Sequence, residues 1–334
     1  MHIHTEQANG MQATALGYYP AIFAEFMLPY RDPGPFARWQ QQHDGRTMTI
    51  HPMPSASPMG GDLYPYGVLP RRLLAWMATT AVATGSRHLD AGPTRSEFAR
   101  ALGLATDGRT QERLWDQLAR LVGATVHIQD ATSRPGCLTV TGATFPIVEH
   151  YVTGITQHRH WDGQDPGIAI TLSSEFFISL TTAPVQVDLH RLRLLGTSPL
   201  RTDLYVWTCR QAQQGDRSQW HTTYETLAES FGSRAIRARR FREALRGAAR
   251  SVSDLHPGVT ITADDEGLTF TARPMHVITD AAVPPSTAMR GRCGRGGASP
   301  CQNSVPSPPR GRAWDGILAR DHRYLSRSNR SEKP

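Results

Sequence analysis

Lysine is almost absent from this chain: Lys333 is the only one, so every other of its 36 basic residues is arginine. Without a lysine in the body there is no G-x-x-x-x-G-K-[ST] loop to cradle nucleotide phosphates, and nucleotide hydrolysis of that type is excluded. No G-x-S-x-G nucleophile elbow occurs either. Cysteine is scarce. Cys137, Cys209, Cys293 and Cys301 lie far apart or in a Gly/Pro-rich tail, so neither a disulfide framework nor a zinc ligand set is implied. Long apolar runs are missing as well. Mean hydropathy is −0.41, and no window reaches the ~18 uncharged apolar residues of a membrane span. The first residues, MHIHTEQANG, lack the basic, apolar and small-residue regions of a signal peptide. The expectation is a cytoplasmic protein, associated with nucleoid or plasmid, with no membrane partner.

The charge that is present is concentrated. The formal net charge is +7, yet residues 278–334 hold ten basic residues against four acidic ones, so +6 lies in that tail and the body is nearly neutral. An anionic partner is implied, but recognition by the folded part must rest on local clustering of arginine. At 334 residues the chain suggests about two domains.

The clearest local pattern runs from His221 to Thr271. A short capped helix and a Gly turn precede an arginine-dense helix, and two alternating strands then meet at Asp264-Asp265-Glu266-Gly267. That is the order of a winged helix-turn-helix. In the second helix Ala238, Phe241, Leu245, Ala248 and Val252 recur on one face, with Arg239, Arg242, Arg246 and Arg250 opposite. Arginine opposite a core stripe suits a helix in the major groove, because the guanidinium bonds bidentately to guanine or clamps phosphates. Arg234 and Arg237 stand near the helix start, better placed than Arg250 to enter a groove. The competing reading is a merely solvated arginine face, which carries more weight in a chain where arginine has replaced lysine everywhere.

An earlier stretch repeats the order. A helix opened by Pro70 presents Leu73, Leu74, Met77 and Val82 to a core and stops at Gly85. Thr94 and Glu97 have the spacing of a capping box. Leu114, Leu118, Leu121 and Val122 mark a third helix whose other face carries Arg113, Gln117 and Arg120. Ala124–Asp130 and Cys137–Thr141 alternate like the strands of a hairpin. Phe98-Ala99 with Leu102-Gly103 aligns with Leu227-Ala228 and Phe231-Gly232 at an offset of 129 residues, which favours a tandem duplication. In this first copy, Arg113, Gln117 and Arg120 are interrupted by Glu112 and Asp116, so phosphate contact and protein contact are equal readings.

The expected architecture is α+β: a partly packed leader (residues 1–61), a first winged-helix domain (62–165), a second, DNA-binding one (166–278), and a disordered basic tail (279–334). The tail reads either as solvated chain or as a non-specific nucleic-acid arm. His2-Ile3-His4 and His158-Arg159-His160 have the paired histidines of metal-dependent nicking enzymes, but both pairs fit surface histidines better. No catalytic residue, metal or cofactor is expected.

Leu63-Tyr64-Pro65-Tyr66-Gly67-Val68-Leu69-Pro70-Arg71-Arg72, Ser96 to Leu104, Leu114 to Leu121, Ser173 to Phe177, Pro184 to Leu189 and Ser198 to Trp207 resemble the plasmid-encoded RepA family of replication initiators. The similarity runs from about Phe26 to about Val277, leaving the leader and the Cys-, Gly- and Arg-rich tail outside it. The resemblance implies an initiator that binds double-stranded origin DNA at repeated sites and helps open it. It also implies recruitment of host helicase or initiator proteins without nucleotide hydrolysis, and tandem winged helices are known among such initiators. A homodimer is compatible with this. Two other function classes stay open: a winged-helix transcriptional repressor, and a metal-dependent nicking enzyme.

Overall fold

The computed structural model describes residues 15–34, 38–54, 62–134, 137–153, 168–215, 217–231 and 238–273. They form a mixed helix-and-sheet fold in which every strand pairing is antiparallel. β1 (Leu16–Tyr19) leads into the single turn of α1 (Ala21–Glu25). β2 (Trp39–His43) and β3 (Arg46–His51) form a hairpin around Asp44-Gly45, whose φ values of 47° and 76° are those such a tight turn demands. The short β4 (Met53–Pro54) and β5 (Asp62–Leu63) pair with each other.

α2 (Val68–Thr84) is the central helix, packing against β1, α4, α5, α7 and β6. It begins two residues before Pro70, which therefore sits in the first turn, where its missing N–H costs nothing. Leu73, Leu74 and Met77 are buried as expected, but Ala78 and Ala81 complete the face and Val82 is only half-buried. β6 (His88–Asp90), α3 (Arg95–Ala101) and α4 (Gly108–Val122) follow. Thr94 caps α3 by accepting the Glu97 N–H at 3.2 Å, and its hydroxyl donates to the Glu97 carboxylate at 3.1 Å. Between α3 and α4, Gly103 takes a φ of 67°, and a Cβ there would meet the Arg193 side chain.

β7 (Thr125–Arg134) and β8 (Cys137–Pro146) form the expected hairpin, extended to the order β2-β3-β7-β8 by the earlier strands. β9 (Val148–Thr153) continues from it. β10 (Ile168–Leu172), where the sequence reading opens its second half, is hydrogen-bonded between β6 and β9. α5 (Ser174–Thr182), β11 (Val185–Asp188), which pairs with β1, and α6 (Leu189–Leu194) then lead to α7 (Pro199–Gln214). The remaining elements are β12 (Gln219–Thr223), α8 (Tyr224–Ser230), α9 (Ala238–Leu255), β13 (Val259–Ala263) and β14 (Gly267–Ala272), with sheet order β12-β14-β13.

One apolar cluster extends from Tyr19 to Phe270, so α2 and α7 belong to a shared core. At their contact Arg71, fully buried, forks onto Asp203, with Nε and Nη2 each 2.6 Å from a carboxylate oxygen. Its nitrogens also donate to the carbonyls of Leu28, Pro29 and Gly67, and its guanidinium lies 5.3 Å from the Tyr30 ring centre. A buried charge tolerates so dry a site only when paired and fully hydrogen-bonded, and here both conditions hold. Among the described residues no helix is long and apolar enough to cross a membrane.

Candidate nucleic-acid interface

α9 owes its orientation to the apolar stripe. Phe241, Leu245, Ala248, Ala249 and Val252 are buried, and the helix packs on α7 and β13. Around this contact Trp207 meets Phe231 and Phe270, and Trp220 stacks on Phe270 with ring centres 5.2 Å apart. Ala238, expected inward, is exposed because it stands in the first turn beyond the reach of that core. The hairpin is held close to the helix. Asp264 accepts the N–H groups of Glu266 and Gly267 at 2.8 and 2.7 Å, which keeps its carboxyl below the usual carboxylate range. A Cβ on Gly267 would overlap the Thr222 carbonyl, so only glycine lets β14 approach β12 there.

The outward face carries the arginines in two groups. Arg239 is 91% exposed and pairs with Glu243 at 3.0 Å. Arg240, which the sequence stripe omitted, is exposed, as is Arg250, and neither has a carboxylate partner among the described residues. Arg242 and Arg246 flank the side facing α8 and the hairpin. Their guanidinium groups lie 5.5 Å from the Tyr224 ring centre. Arg242 bonds Glu225 at 2.7 Å. Arg246 bonds the Tyr224 hydroxyl at 2.9 Å, the Asp264 carbonyl at 2.8 Å and Asp265 at 3.2 Å. Arg246 therefore also braces the hairpin. Exposed ion pairs of this kind contribute little to stability and are exchangeable for another anion. Arg234 and Arg237 lie outside the described residues, as do His2, His4, His158, His160 and residues 279–334.

In the first copy two of the three candidates are engaged inside the fold. Gln117 is 4% exposed. Its Oε1 accepts the Tyr66 N–H at 2.9 Å and its Nε2 donates to Asp116, so the amide is occupied inside the fold. Arg120 bonds Asp116, Asp32 and the Tyr64 carbonyl while lying 5.2 Å from the Tyr66 ring centre. Both side chains fasten α4 to the preceding segment. Arg113 is exposed.

Residues 64–225, just under half of the chain, match the family model described as plasmid-encoded RepA protein, so the resemblance read from the sequence is borne out over that stretch. Among solved structures, a crystal structure of selenomethionine derivatives of domains 2 and 3 of RctB is 15% identical with a TM-score of 0.50, covering 76% of this chain and 96% of that one. A second crystal structure of RctB domains 2–3 is 14% identical with a TM-score of 0.45, covering 75% and 94%. At such identity the first likeness concerns the fold alone. No curated protein matches.

Proposed function

We propose that this chain, whose residues 64–225 match the plasmid-encoded RepA family, is a plasmid replication initiator that binds double-stranded origin DNA chiefly through α9. The observation that carries this reading is the arginine-bearing outer face of α9, backed by a packed stripe and braced by a hairpin. Base edges are read by such a helix and phosphates by such a rim. Two runs with the same order support a tandem of winged-helix modules: α2, β6, α3, α4, β7 and β8, then α7, β12, α8, α9, β13 and β14. The elements from β10 to α6 bridge them. The chain acts by binding, not by catalysis, with origin opening and recruitment of host helicase or initiator proteins requiring both modules.

The test is a plasmid that carries only the cognate origin, with this protein supplied in trans. Persistence of the plasmid is the expected result. Repression of a promoter reporter without persistence makes the chain a regulator. Nicking of origin DNA with a divalent metal, abolished in His158→Ala, overturns the non-catalytic reading.

A further inference from the structure

Gly247 has no evident reason to be glycine. It lies in the interior of α9, where glycine is the poorest helix former after proline, and its φ is not in the left-handed region. A Cβ built there meets no described atom within 4 Å. Its carbonyl accepts from the Ser251 hydroxyl at 3.2 Å, so the backbone is ordinary helix. Neither strain nor crowding by a described residue calls for a missing side chain. A further physical reason for a missing side chain is close approach by something outside the described residues.

The position on the helix says where. At about 100° per residue, the direction opposite Phe241, Leu245, Ala248 and Val252 falls between Glu243 and Arg250, with Arg239 beside them. Gly247 is one turn beyond Glu243, half-buried, and about 50° from that direction on the flank away from Arg246. The centre of the outer face is therefore not uniformly cationic: it is a carboxylate, 60% exposed, set among arginines and flanked by bare backbone. A phosphate repels a carboxylate. An exocyclic amine of cytosine or adenine, the only donor that bases offer in the major groove, pairs with one.

We propose that α9 enters the major groove with Arg239, Glu243 and Arg250 facing the bases and with Gly247 on the flank opposite Arg246, where the backbone lacks a side chain. Gly247 is its point of closest approach and Glu243 accepts a hydrogen bond from a base amine. Arg242 and Arg246 sit to the side, where they meet the phosphate rim. This rests on the DNA-binding reading above and assigns the residues that specify sequence within it.

The experiment uses the full chain. Wild-type protein first selects its site from a pool of random 30-base-pair duplexes, about three helical turns long. Wild type, Gly247→Ala and Glu243→Gln are then compared in thermal melts and in titrations with the selected duplex and with mixed-sequence duplex. Gly247→Ala should melt a few degrees higher, because alanine favours the helix, yet bind the selected duplex roughly tenfold more weakly, because the methyl overpacks the contact. Glu243→Gln should keep its affinity for mixed-sequence DNA, or gain some, and lose discrimination at one base pair. Gly247→Ala binding like wild type overturns the proposal while leaving DNA binding intact. So does a lower melting temperature, which would give the glycine a folding role. Failure of wild type to select or bind any duplex removes the underlying reading itself.

Discussion

α4 and α9 hold the same place in two runs of like order, yet they put their polar side chains to opposite uses. On α4, Gln117 and Arg120 are consumed by Tyr64, Tyr66, Asp32 and Asp116. On α9, Arg239, Arg240, Arg242 and Arg250 are exposed, each paired with a single exposed carboxylate or with none among the described residues, while half-buried Arg246 also bonds Tyr224 and the hairpin. The cause lies outside both helices. Residues 15–66 supply the first run with hydrogen-bond partners and with β2–β3, which widen its hairpin to four strands, whereas the second hairpin is closed only by β12. Order of elements thus sets the frame, and neighbouring segments decide which face stays free.

The largest expected effect concerns the joint between the runs. Arg71 on α2 and Asp203 on α7 tie the two opening helices together inside the core. Arg71→Ala leaves Asp203 buried and unpaired, and should cost about 3–5 kcal/mol in urea unfolding. The double variant Arg71→Leu with Asp203→Leu should cost less than either single change, since no charge is orphaned. Separate unfolding transitions for the two runs in wild type would break the idea of a shared core.

Next in size is a pH effect confined to the second run. His256, at the end of α9, is 7% exposed. Its Nδ1 accepts the Gly258 N–H at 3.2 Å, which leaves the neutral ring to face Cys209 with Nε2, 3.5 Å from the sulfur. Burial, with Arg191 and Arg273 nearby, lowers its pKa from 6.5 to about 4. The unfolded chain therefore takes up a proton that the folded chain refuses. Stability is unaffected above pH 6.5 and falls as pH drops from 6.5 towards 4, by ~3 kcal/mol in all. Unfolding free energies for wild type and His256→Gln should converge at acid pH. A slope that survives the substitution would place the titration elsewhere.

Much of this was legible in residue types. Phe241, Leu245, Ala248 and Val252 announced the buried side of α9, and Thr94 with Glu97 announced the start of α3, because both signals are local. Asp44-Gly45 carries a hairpin signal of the same local kind, an Asp-Gly pair between two alternating runs. Gln117 could have been placed correctly: it lies three residues after Leu114 and four before Leu121, on the apolar stripe itself. What the sequence could not reveal is pairing across distance. Arg71 finds a partner 132 residues away, and Arg246 ends at a hairpin 18 residues on, through folding that no spacing encodes.

A third expectation sharpens the contrast at the DNA. Arg239→Ala or Arg250→Ala should weaken specific binding by ~1–3 kcal/mol if the side chain reads a base, and lower the salt slope by about one if it holds a phosphate. Arg246→Ala should do more than lower affinity. It also removes bonds to Tyr224 and to the Asp264 carbonyl, so its melting temperature should fall whereas that of Arg239→Ala should not.

The smallest effects are expected on α4, and they decide whether the comparison is real. Arg113→Ala removes an exposed cation with no carboxylate partner among the described residues and should change stability and specific DNA affinity by less than ~0.5 kcal/mol. Arg120→Ala should leave affinity equally unmoved but lower stability by ~1 kcal/mol, since it strips hydrogen bonds that join α4 to Asp32 and Tyr64. Paired titrations and melts separate the two outcomes. If Arg113→Ala weakens specific binding as much as Arg239→Ala, then α4 meets DNA as α9 does. The segment before α2 would then be a brace for a second reading helix, not the reason that helix is occupied.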